Sequence, residues 1–368
     1  MTGPTLTSAA AARGPLAMEA IALSKDFQIG RGHTLHAVRD VSFNLYRGAV
    51  VALVGESGSG KSTAAKLLAG QEPLTSGTIR LDGKPVEVSS RGDFRQYKSE
   101  VQLVFQDPFS SLNPVHTVRY HLERPVKLHQ RSANLDQEVA SLMEQVRLTP
   151  AKQFLPKYPH ELSGGQRQRV SFARALAARP RVLLADEPVS MLDVSIRLEM
   201  LSLLDDLRRR FSLAMLYITH DIASARYFAD EILVMYAGEI VERGPAEEVT
   251  QSPAHPYTQL LVASAPDPDN LGSTLRGGGR RHGPAAVTAR PQNPNGDDTK
   301  GCPFNPRCPF ADDKCREEDP ALMRISATRG AACWHLEAAA PELVSALGRS
   351  GDAPSKDVTE KNPREGRH

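Results

Sequence analysis

The sequence predicts an α/β fold organised around a doubly wound, mostly parallel β-sheet. From residue 50 onward, short apolar runs rich in β-branched residues alternate with segments of helical periodicity, and this alternation is typical of parallel sheets covered by helices. The first run, residues 50–54, leads directly into a glycine-rich loop and then into a run of helix formers. Strand-like segments at residues 20–23 and 38–45 predict a small antiparallel β-layer beside the main sheet.

The glycine-rich loop matches the pattern Gly, four residues, Gly-Lys-Ser/Thr. Its members are Gly55, Glu56, Ser57, Gly58, Ser59, Gly60, Lys61, Ser62 and Thr63. The glycines let successive backbone N–H groups converge on one anion at a helix N-terminus, where the helix dipole favours negative charge. Lys61 can reach the β- and γ-phosphates, and the Ser62 hydroxyl can hold Mg²⁺. The loop therefore predicts a site for a nucleotide with its magnesium ion.

The composition of the chain narrows the classes of function. The 368 residues include 45 basic and 43 acidic side chains, and this net charge of +2 gives no reason to expect nucleic-acid binding. The apolar runs are far shorter than the ~18 residues that a membrane span needs, and the first 22 residues lack the apolar core of a signal peptide. We therefore expect a cytoplasmic protein that reaches a membrane only through a separate membrane partner.

Shifts in composition divide the chain into segments. Small residues dominate the start, and Gly, Pro, Asn, Asp and Arg dominate a stretch after Pro266, as is typical of disordered ends and flexible linkers. Apolar residues recur at helical spacing within residues 108–161, which predicts a helical insertion between two core strands. The predicted segments are a disordered N-terminus (1–17), the α/β domain (18–265), a linker (266–300), a Cys-rich segment (301–336) and a tail (337–368).

Polar side chains follow three of the predicted core strands. Asp186 and Glu187 end one apolar run, Gln106 follows a second, and His220 follows a third. Ligands of such sheets bind at the carboxyl ends of the strands, so we expect these side chains to lie beside the phosphate loop. Asp186 can hold Mg²⁺, Glu187 can polarise an attacking water, and Gln106 and His220 can contact the γ-phosphate. Each residue taken alone also fits an ordinary loop or turn position.

A second anion-binding helix start is predicted at residues 162–166. Ser163 precedes Gly164, Gly165 and Gln166 and then an Arg-rich helix, which makes the exposed N–H groups of that helix available to a phosphate. Alone, Ser163 also fits an ordinary N-cap. Because the chain has one phosphate loop and two anion-binding sites, we expect the second site to serve a nucleotide bound by another subunit.

In their order along the chain, these motifs resemble those of the ATP-binding cassette (ABC) ATPases. The resemblance covers about residues 18–244. It assigns Phe27 as the adenine-stacking aromatic, residues 55–63 as Walker A, Gln106 as the Q-loop, residues 162–166 as the signature, residues 183–188 as Walker B, residues 190–193 as the D-loop and His220 as the switch histidine. Phe27 stands where many members have Tyr, and Met191 stands where many have a small residue. Neither change removes a catalytic group.

A finer resemblance is to the ATPase subunits of bacterial oligopeptide and dipeptide importers. The matching positions are residues 106–108, 111–114, 158–161, 193–195 and 255–258. The resemblance implies that two such subunits, identical or homologous, close over two ATP molecules, with Ser62, Gln106 and Asp186 around Mg²⁺. It also implies two integral-membrane permease subunits, an external substrate-binding protein as an indirect partner, no nucleic acid, and a peripheral location on the cytoplasmic face of the inner membrane.

All four cysteines lie late in the chain. Five residues separate Cys302 from Cys308, six separate Cys308 from Cys315, and seventeen separate Cys315 from Cys333. In a cytosolic chain, such clustering suggests a metal or cluster site more than disulfides. Four thiolates suit an iron–sulfur cluster or zinc, and free thiols stay possible, although zinc sites usually have more closely spaced pairs. The resemblance to the importer subunits implies a [4Fe–4S] cluster on these four residues.

The transported substrate stays open at the level of sequence. Relatives of this importer type carry peptides, oligosaccharides or nickel, and specificity lies in the membrane subunits and the external binding protein. A non-transport ABC ATPase of DNA repair or translation is a rival, although such chains usually carry coiled-coil insertions or tandem cassettes. A redox module in which the cysteine cluster is primary and ATP regulatory is a second rival. We expect an ATP-hydrolysing subunit that energises the import of dipeptides or oligopeptides.

Overall fold

The computed structural model describes residues 14–29, 33–87, 90–107, 111–129, 134–265 and 300–340. Residues 1–13 of the expected disordered N-terminus, residues 266–299 of the expected linker, the tail after residue 340 and Pro108 lie outside the described residues.

The described residues form strands and helices in alternation. The strands are β1 (Leu16–Ile29), β2 (His33–Tyr46), β3 (Val50–Val54), β4 (Ser76–Leu81), β5 (Lys84–Pro85), β6 (Val101–Val104), β7 (Val182–Asp186), β8 (Ala214–Thr219), β9 (Glu231–Tyr236), β10 (Glu239–Pro245), β11 (Met323–Arg324) and β12 (Gly330–Ala331). The helices are α1 (Lys61–Leu68), α2 (Arg91–Glu100), α3 (Val118–His129), α4 (Leu135–Gln145), α5 (Ala151–Phe154), α6 (Gly164–Leu176), α7 (Val194–Phe211), α8 (Ile222–Phe228), α9 (Ala246–Gln251), α10 (Pro256–Ser264), α11 (Asp313–Glu317) and α12 (Leu336–Ala339). Short 3₁₀ turns lie at Pro159–Glu161 and Asn305–Arg307.

The main sheet has eight strands in the order β11-β12-β10-β9-β3-β8-β7-β6. The five strands from β9 to β6 are parallel to one another, whereas β10, β12 and β11 continue the sheet in antiparallel fashion. Every residue of β3, β7, β8 and β9 is buried, because both faces of the sheet are covered. That burial explains the continuous apolar runs in the sequence and confirms the predicted α/β fold.

Two cores lie on the two faces of the main sheet. Along β3, Val50, Ala52 and Val54 pack into a core that includes residues of α3, α4 and α6. Val51 and Leu53 pack into a second core that includes residues of α1, β1 and β2. Alternate side chains of a strand point to opposite faces, so β3 supplies both cores. This double anchoring holds the start of the glycine-rich loop in place.

The predicted antiparallel layer is a four-stranded sheet in the order β2-β1-β4-β5. Strand β1 begins at Leu16, two residues earlier than expected, because Leu16 pairs with Tyr46 at the end of β2. Ala17 is fully buried there, so residues 16–17 belong to the folded domain and not to a disordered N-terminus. The layer carries Phe27 toward the glycine-rich loop.

The predicted helical insertion comprises α3, α4 and α5 between β6 and α6. Val118 and Leu122 of α3 and Val139 of α4 are fully buried in the same core that covers the main sheet. The side chain of Asn134 caps α4 by accepting the Gln137 N–H at 3.1 Å, which satisfies a donor at the helix start. The insertion therefore packs on the sheet through one continuous apolar core.

The Cys-rich segment joins the main sheet. Strand β12 pairs with β10, with Glu242 opposite Ala331. The Arg329 guanidinium donates to the Glu242 carboxylate at 2.9 Å, and both side chains are almost completely buried. Glu242 also accepts the backbone N–H groups of Ala254 and His255. The segment therefore extends one edge of the main sheet, and the sequence did not predict this attachment.

None of the helices in the described ranges has both the length and the apolar content required to cross a bilayer.

Candidate nucleotide-binding site

The glycine-rich loop adopts a backbone that only glycine accommodates at several positions. Gly58 and Gly60 have φ values of 82° and 102°, in the region that side chains with a Cβ rarely adopt. A Cβ on Gly55 would overlap the Met235 carbonyl oxygen, and one on Gly60 would overlap that of Ala37. The loop therefore packs tightly against β2 and β9 at the start of α1. This packing fixes the direction of the loop N–H groups.

Lys61 lies at the centre of this loop. Its ammonium donates to the carbonyl oxygens of Gly55 at 2.8 Å and of Glu56 at 2.7 Å, and the residue is only 5% exposed. Burial lowers the pKa of Lys61, and the carboxylates of Glu187, Asp186 and Glu56 oppose that effect. Those carboxylates favour the positively charged form of Lys61 in the loop that is predicted to bind the phosphates.

Ser62 and Asp186 lie together beside Lys61 and are joined by a hydrogen bond. The Ser62 hydroxyl donates to Asp186 Oδ1 at 3.0 Å, and Asp186 is 6% exposed. Burial raises the pKa of Asp186, against the hydrogen bond from Ser62. A hydroxyl and a carboxylate at this spacing fit Mg²⁺, which takes oxygen ligands and binds through one or two carboxylates plus substrate phosphates.

The polar strand-end residues meet at Glu187. Gln106 Nε2 donates to Glu187 Oε2 at 2.8 Å, and His220 Nδ1 lies 3.3 Å from the same oxygen. Glu187 has a φ of 44°, an uncommon backbone for a residue other than glycine and one that tends to occur at functional sites. The structure therefore brings together the strand-end residues that the sequence singled out.

A cleft of about 500 Å³ opens above the loop. The described residues that line it include members of the loop, of the strand-end group and of the β1–β2 layer. They are Phe27, Thr34, Leu35, His36, Ala37, Arg39, Ser57, Gly58, Gly60, Lys61, Ser62, Thr63, Gln106, Glu187, Tyr236, Ala237, Gly238, Pro303 and Pro306. The Lys25 ammonium lies 4.8 Å from the centroid of the Phe27 ring, and this ring forms part of the cleft wall.

The signature residues, 162–166, lie outside the cleft of their own chain. Ser163 caps α6 by accepting the Gln166 N–H at 3.3 Å, and the Gln166 side chain accepts the Ser163 N–H at 3.0 Å, which is a capping box. Gly165 packs so closely that a Cβ would lie 2.9 Å from Ile196 Cγ2. No residue of 162–166 is among the described residues that line the cleft of the same chain.

The four cysteines line one small cavity together with His255. Cys302, Cys315 and Cys333 are buried and Cys308 is partly exposed. Burial raises the pKa of the Cys302 thiol to about 12 and that of Cys333 to about 11.

The cysteine sulfurs are not tightly clustered. Within the described part of the chain, Asp312, Cys315 and His335 are the only three metal-ligating side chains whose ligand atoms all lie within 4.8 Å of one another. No three cysteine sulfurs meet that limit. The four thiols therefore share one cavity, and no three of them are in mutual contact.

Sequence reasoning missed several residues of the site. Pro303 and Pro306 of the Cys-rich segment line the cleft, Arg307 pairs with Glu56, and the Tyr257 hydroxyl accepts the Glu56 N–H at 2.7 Å. Tyr257 belongs to residues 255–258, which resemble the importer ATPase subunits, but its contact with the phosphate loop was not predicted. The other contacts join residues far apart in the chain and leave no local signal.

The comparisons with known proteins agree with this geometry. The model of the family described as "ABC transporter" matches residues 38–190, and that described as "Oligopeptide/dipeptide transporter, C-terminal region" matches residues 241–315. The di/tripeptide transport ATP-binding protein DppF of Pseudomonas aeruginosa (strain UCBPP-PA14) is 39% identical, over 86% of this chain and 96% of that protein. The dipeptide transport ATP-binding protein DppD of Escherichia coli (strain K12) is 37% identical, over 81% and 90%.

Solved structures of cassettes share the fold. CbiO1 of Clostridium perfringens, part of the ABC transporter complex CbiONQ, is 27% identical with a TM-score of 0.57, over 64% of this chain and 91% of that one. The ATP-binding cassette MJ0796, dimeric in a post-hydrolysis state with ADP and Pi, has the same identity and TM-score, over 62% and 98%. From the motif geometry and from relatives above 30% identity across most of both chains, the protein belongs to the ABC transporter ATP-binding proteins of the dipeptide and oligopeptide importer type.

Proposed function

We propose that this protein hydrolyses ATP to energise a membrane importer of dipeptides or oligopeptides. The observation that carries the proposal is the match of residues 241–315 to the C-terminal region of oligopeptide and dipeptide transporters. Part of that region, including Tyr257 and Arg307, contacts the phosphate loop. Full-length similarity to di/tripeptide and dipeptide transport ATP-binding proteins supports the same substrate class.

Each group of cleft residues has a different role in the binding and hydrolysis of ATP. The loop N–H groups and Lys61 bind the phosphates of ATP, and Phe27 stacks on adenine. Ser62 and Asp186 hold Mg²⁺, with Gln106 beside it, and the ion supplies positive charge to the phosphate oxygens. Glu187 accepts the proton of the attacking water.

His220 contacts the γ-phosphate. Its imidazole Nδ1 lies 3.3 Å from Glu187 Oε2. A movement of the His220 side chain would place the imidazole between Glu187 and the γ-phosphate.

The signature residues act on the ATP of a second subunit. Ser163, Gly164, Gly165 and Gln166 form a capped helix start outside the cleft of their own chain, and such a start favours an anion. The sibling subunit, identical or homologous, therefore completes each site. Hydrolysis removes the γ-phosphate that bridges the two subunits, and the dimer opens.

The assembly places this chain at the cytoplasmic face of the inner membrane. Two integral-membrane permease subunits pass the motion of the ATPase dimer to the substrate path, and an external binding protein delivers the peptide. Gln106 connects the γ-phosphate site to the helical insertion of α3–α5, which is the route to the permeases. We expect no nucleic-acid partner.

We further propose that Cys302, Cys308, Cys315 and Cys333 hold a [4Fe–4S] cluster. No three of the four sulfurs lie mutually within 4.8 Å in the described residues, whereas a tetrahedral zinc site with Zn–S bonds of ~2.3 Å would hold all its sulfurs within ~3.8 Å of one another. The four thiolates would be the complete ligand set of such a cluster, since [4Fe–4S] clusters are held by four cysteines.

The experiment that tests the function uses the assembled transporter. The chain is purified from membranes with its co-purifying permease subunits and placed in liposomes with its binding protein. Dipeptides or oligopeptides are expected to stimulate ATP hydrolysis and to enter the liposomes. Stimulation by an oligosaccharide or by nickel and not by peptides would overturn the substrate class, and absence of ATP hydrolysis in any mixture would overturn the function.

A further inference from the structure

The Cys-rich segment reaches into the nucleotide site through Arg307. Its guanidinium makes two parallel hydrogen bonds to the Glu56 carboxylate, Nη1 to Oε2 at 2.8 Å and Nη2 to Oε1 at 2.9 Å. The Arg307 side chain is 13% exposed and that of Glu56 is 36% exposed. This two-point geometry is the stronger kind of charge-assisted bond, and it joins the segment directly to the phosphate loop.

The backbone of Glu56 is held from the other side. Its N–H donates to the hydroxyl of Tyr257, which is fully buried. The Tyr257 ring packs edge-on against Tyr236, with centroids 4.7 Å apart, and tilted against Phe304, with centroids 5.5 Å apart. Phe304 belongs to the Cys-rich segment, so one aromatic group supports both contacts to Glu56.

The charge of Glu56 acts on the phosphate site. Burial lowers the pKa of Lys61, and the carboxylates of Glu187, Asp186 and Glu56 raise it. Glu56 is therefore close enough to affect the ammonium that meets the phosphates. An unpaired carboxylate at this position would also repel a polyphosphate. Arg307 neutralises it and leaves its bonding geometry fixed.

The cysteines flank the turn that carries Arg307. The 3₁₀ turn Asn305–Arg307 lies between Cys302 and Cys308. The Asn305 side chain donates to the Cys302 carbonyl oxygen at 2.7 Å. Pro303 and Pro306 of the same stretch form part of the cleft wall. Whatever fixes the two cysteines therefore also fixes the position of the Arg307 guanidinium.

We propose that the Cys-rich segment regulates the nucleotide site of its own chain, with Arg307 as the positioning residue. Arg307 neutralises Glu56 and holds the phosphate loop in the geometry that binds ATP. Occupancy of the four-cysteine site and ATP affinity are then coupled in both directions, because coupling between two binding sites is reciprocal. The coupling rests on the proposed function of the four cysteines, whereas the role of Arg307 does not.

The first test compares ATP binding by Arg307 variants with that of a double variant at Arg307 and Glu56. Binding of a fluorescent ATP analogue with Mg²⁺, and its displacement by ATP, is measured on the purified full-length chain. Arg307→Ala is expected to weaken ATP binding about five- to tenfold, at the low end of couplings between sites, and Arg307→Lys by less. Removing the unpaired charge in Glu56→Gln/Arg307→Ala is expected to restore most of the affinity.

The matched control is Arg324→Ala. Arg324 is an exposed arginine of the same segment that bonds the backbone of residues 326–327, and its removal is expected to leave ATP affinity unchanged. Wild-type affinity in Arg307→Ala would overturn the proposal, and so would a double variant as weak as Arg307→Ala. If Arg307→Ala does not fold, Arg307→Lys carries the same comparison.

The second test addresses the coupling. The four-cysteine site is emptied with an oxidant and an iron chelator, its loading is followed by visible absorbance, and ATP affinity is measured before and after. Emptying is expected to weaken ATP binding in the wild type and to have little effect in Arg307→Ala. Equal effects in both proteins, or none in the wild type, would overturn the coupling. A wild type that binds no ATP in either state would instead overturn the proposed function.

Discussion

Gln106 donates a hydrogen bond of 2.8 Å to Glu187, and the two residues follow neighbouring parallel strands of the main sheet. The first lies just beyond β6 and the second just beyond β7. The amide thus orients the carboxylate from the direction of the helical insertion. A shift of the insertion that moves Gln106 would release Glu187, so the contact links the proposed base to the helical insertion, the proposed route to the permeases.

Replacement of Glu187 by Gln is expected to separate binding from hydrolysis. The amide keeps the shape of the side chain and cannot accept a proton from water, so hydrolysis is expected to fall by about 100-fold or more, while ATP binding persists. Phosphate release and size-exclusion chromatography with ATP give the rate and the trapped dimer. The control is Glu199→Gln, since the Glu199 side chain is 64% exposed on α7. Near-normal turnover in Glu187→Gln would refute the assigned base.

Lys61 is expected to be needed for ATP affinity. Lys61→Ala removes a charge that meets the phosphates, and the affinity for ATP is expected to fall by at least about tenfold, because charge-assisted bonds are the stronger ones. Equilibrium binding of a fluorescent ATP analogue measures the loss. Lys66→Ala changes an exposed lysine of the same helix and serves as the control. Unchanged affinity in Lys61→Ala would count against the loop as the phosphate site.

Ser163 is expected to be needed for ATP hydrolysis by the dimer but not for ATP binding by the isolated chain. Ser163→Ala removes the cap of α6, at a cost to stability of ~1 kcal/mol, and weakens the helix start that meets the second subunit. ATP hydrolysis is expected to fall, while ATP binding by the isolated chain stays the same. Ser90→Ala removes an equivalent capping box at α2 and should leave hydrolysis intact. Equal losses in both variants would indicate a stability effect alone.

The buried pair of Glu242 and Arg329 is expected to anchor the Cys-rich segment. Arg329→Met leaves a buried carboxylate without its partner, which typically costs ~3–5 kcal/mol, and the double variant Glu242→Gln/Arg329→Met is expected to lose less. Denaturant unfolding measures both. Arg316→Ala breaks an exposed pair with Asp313 and should change stability little. A loss in Arg329→Met no greater than that of the exposed control would contradict the anchoring role.

The four cysteines are expected to give the protein a visible spectrum. Anaerobically purified protein should absorb at about 400 nm and bleach on reduction, and Cys333→Ser should lose the band. Metal analysis with absorbance distinguishes the outcomes. Colourless protein with one zinc per chain would favour zinc, and colourless protein without metal would favour free thiols. Either result would remove the cluster from the proposed function.

Local sequence predicted most of the central strands and nine of the nineteen described residues that line the cleft. Glycine spacing, the strand before it and the helix after it predicted the phosphate loop, and polar residues after apolar runs predicted the group at Glu187. The boundaries of β3 and β8 lie within one residue of prediction. The helices α2, α8, α9 and α10 were not predicted, because they are short and few of their residues form an apolar stripe.

The contacts of the Cys-rich segment were beyond the reach of sequence reasoning. Arg307 and Glu56 lie 251 positions apart, and neither belongs to a periodic pattern that would indicate the other. The same holds for Arg329 and Glu242, which lie 87 positions apart. An arginine in a cysteine-rich stretch is ordinarily a solvated side chain, so no local signal distinguished these two.

By itself the sequence determined the chemistry of the nucleotide site, because phosphate binding depends on backbone N–H groups and on residues that are neighbours in the chain. Only the tertiary structure decided which distant residues contact that site. The pairing of β12 with β10 and the aromatic group around Tyr257 carry the Cys-rich segment to the phosphate loop. Such pairings depend on the path of the whole chain, and a linear pattern of residue types does not contain that path.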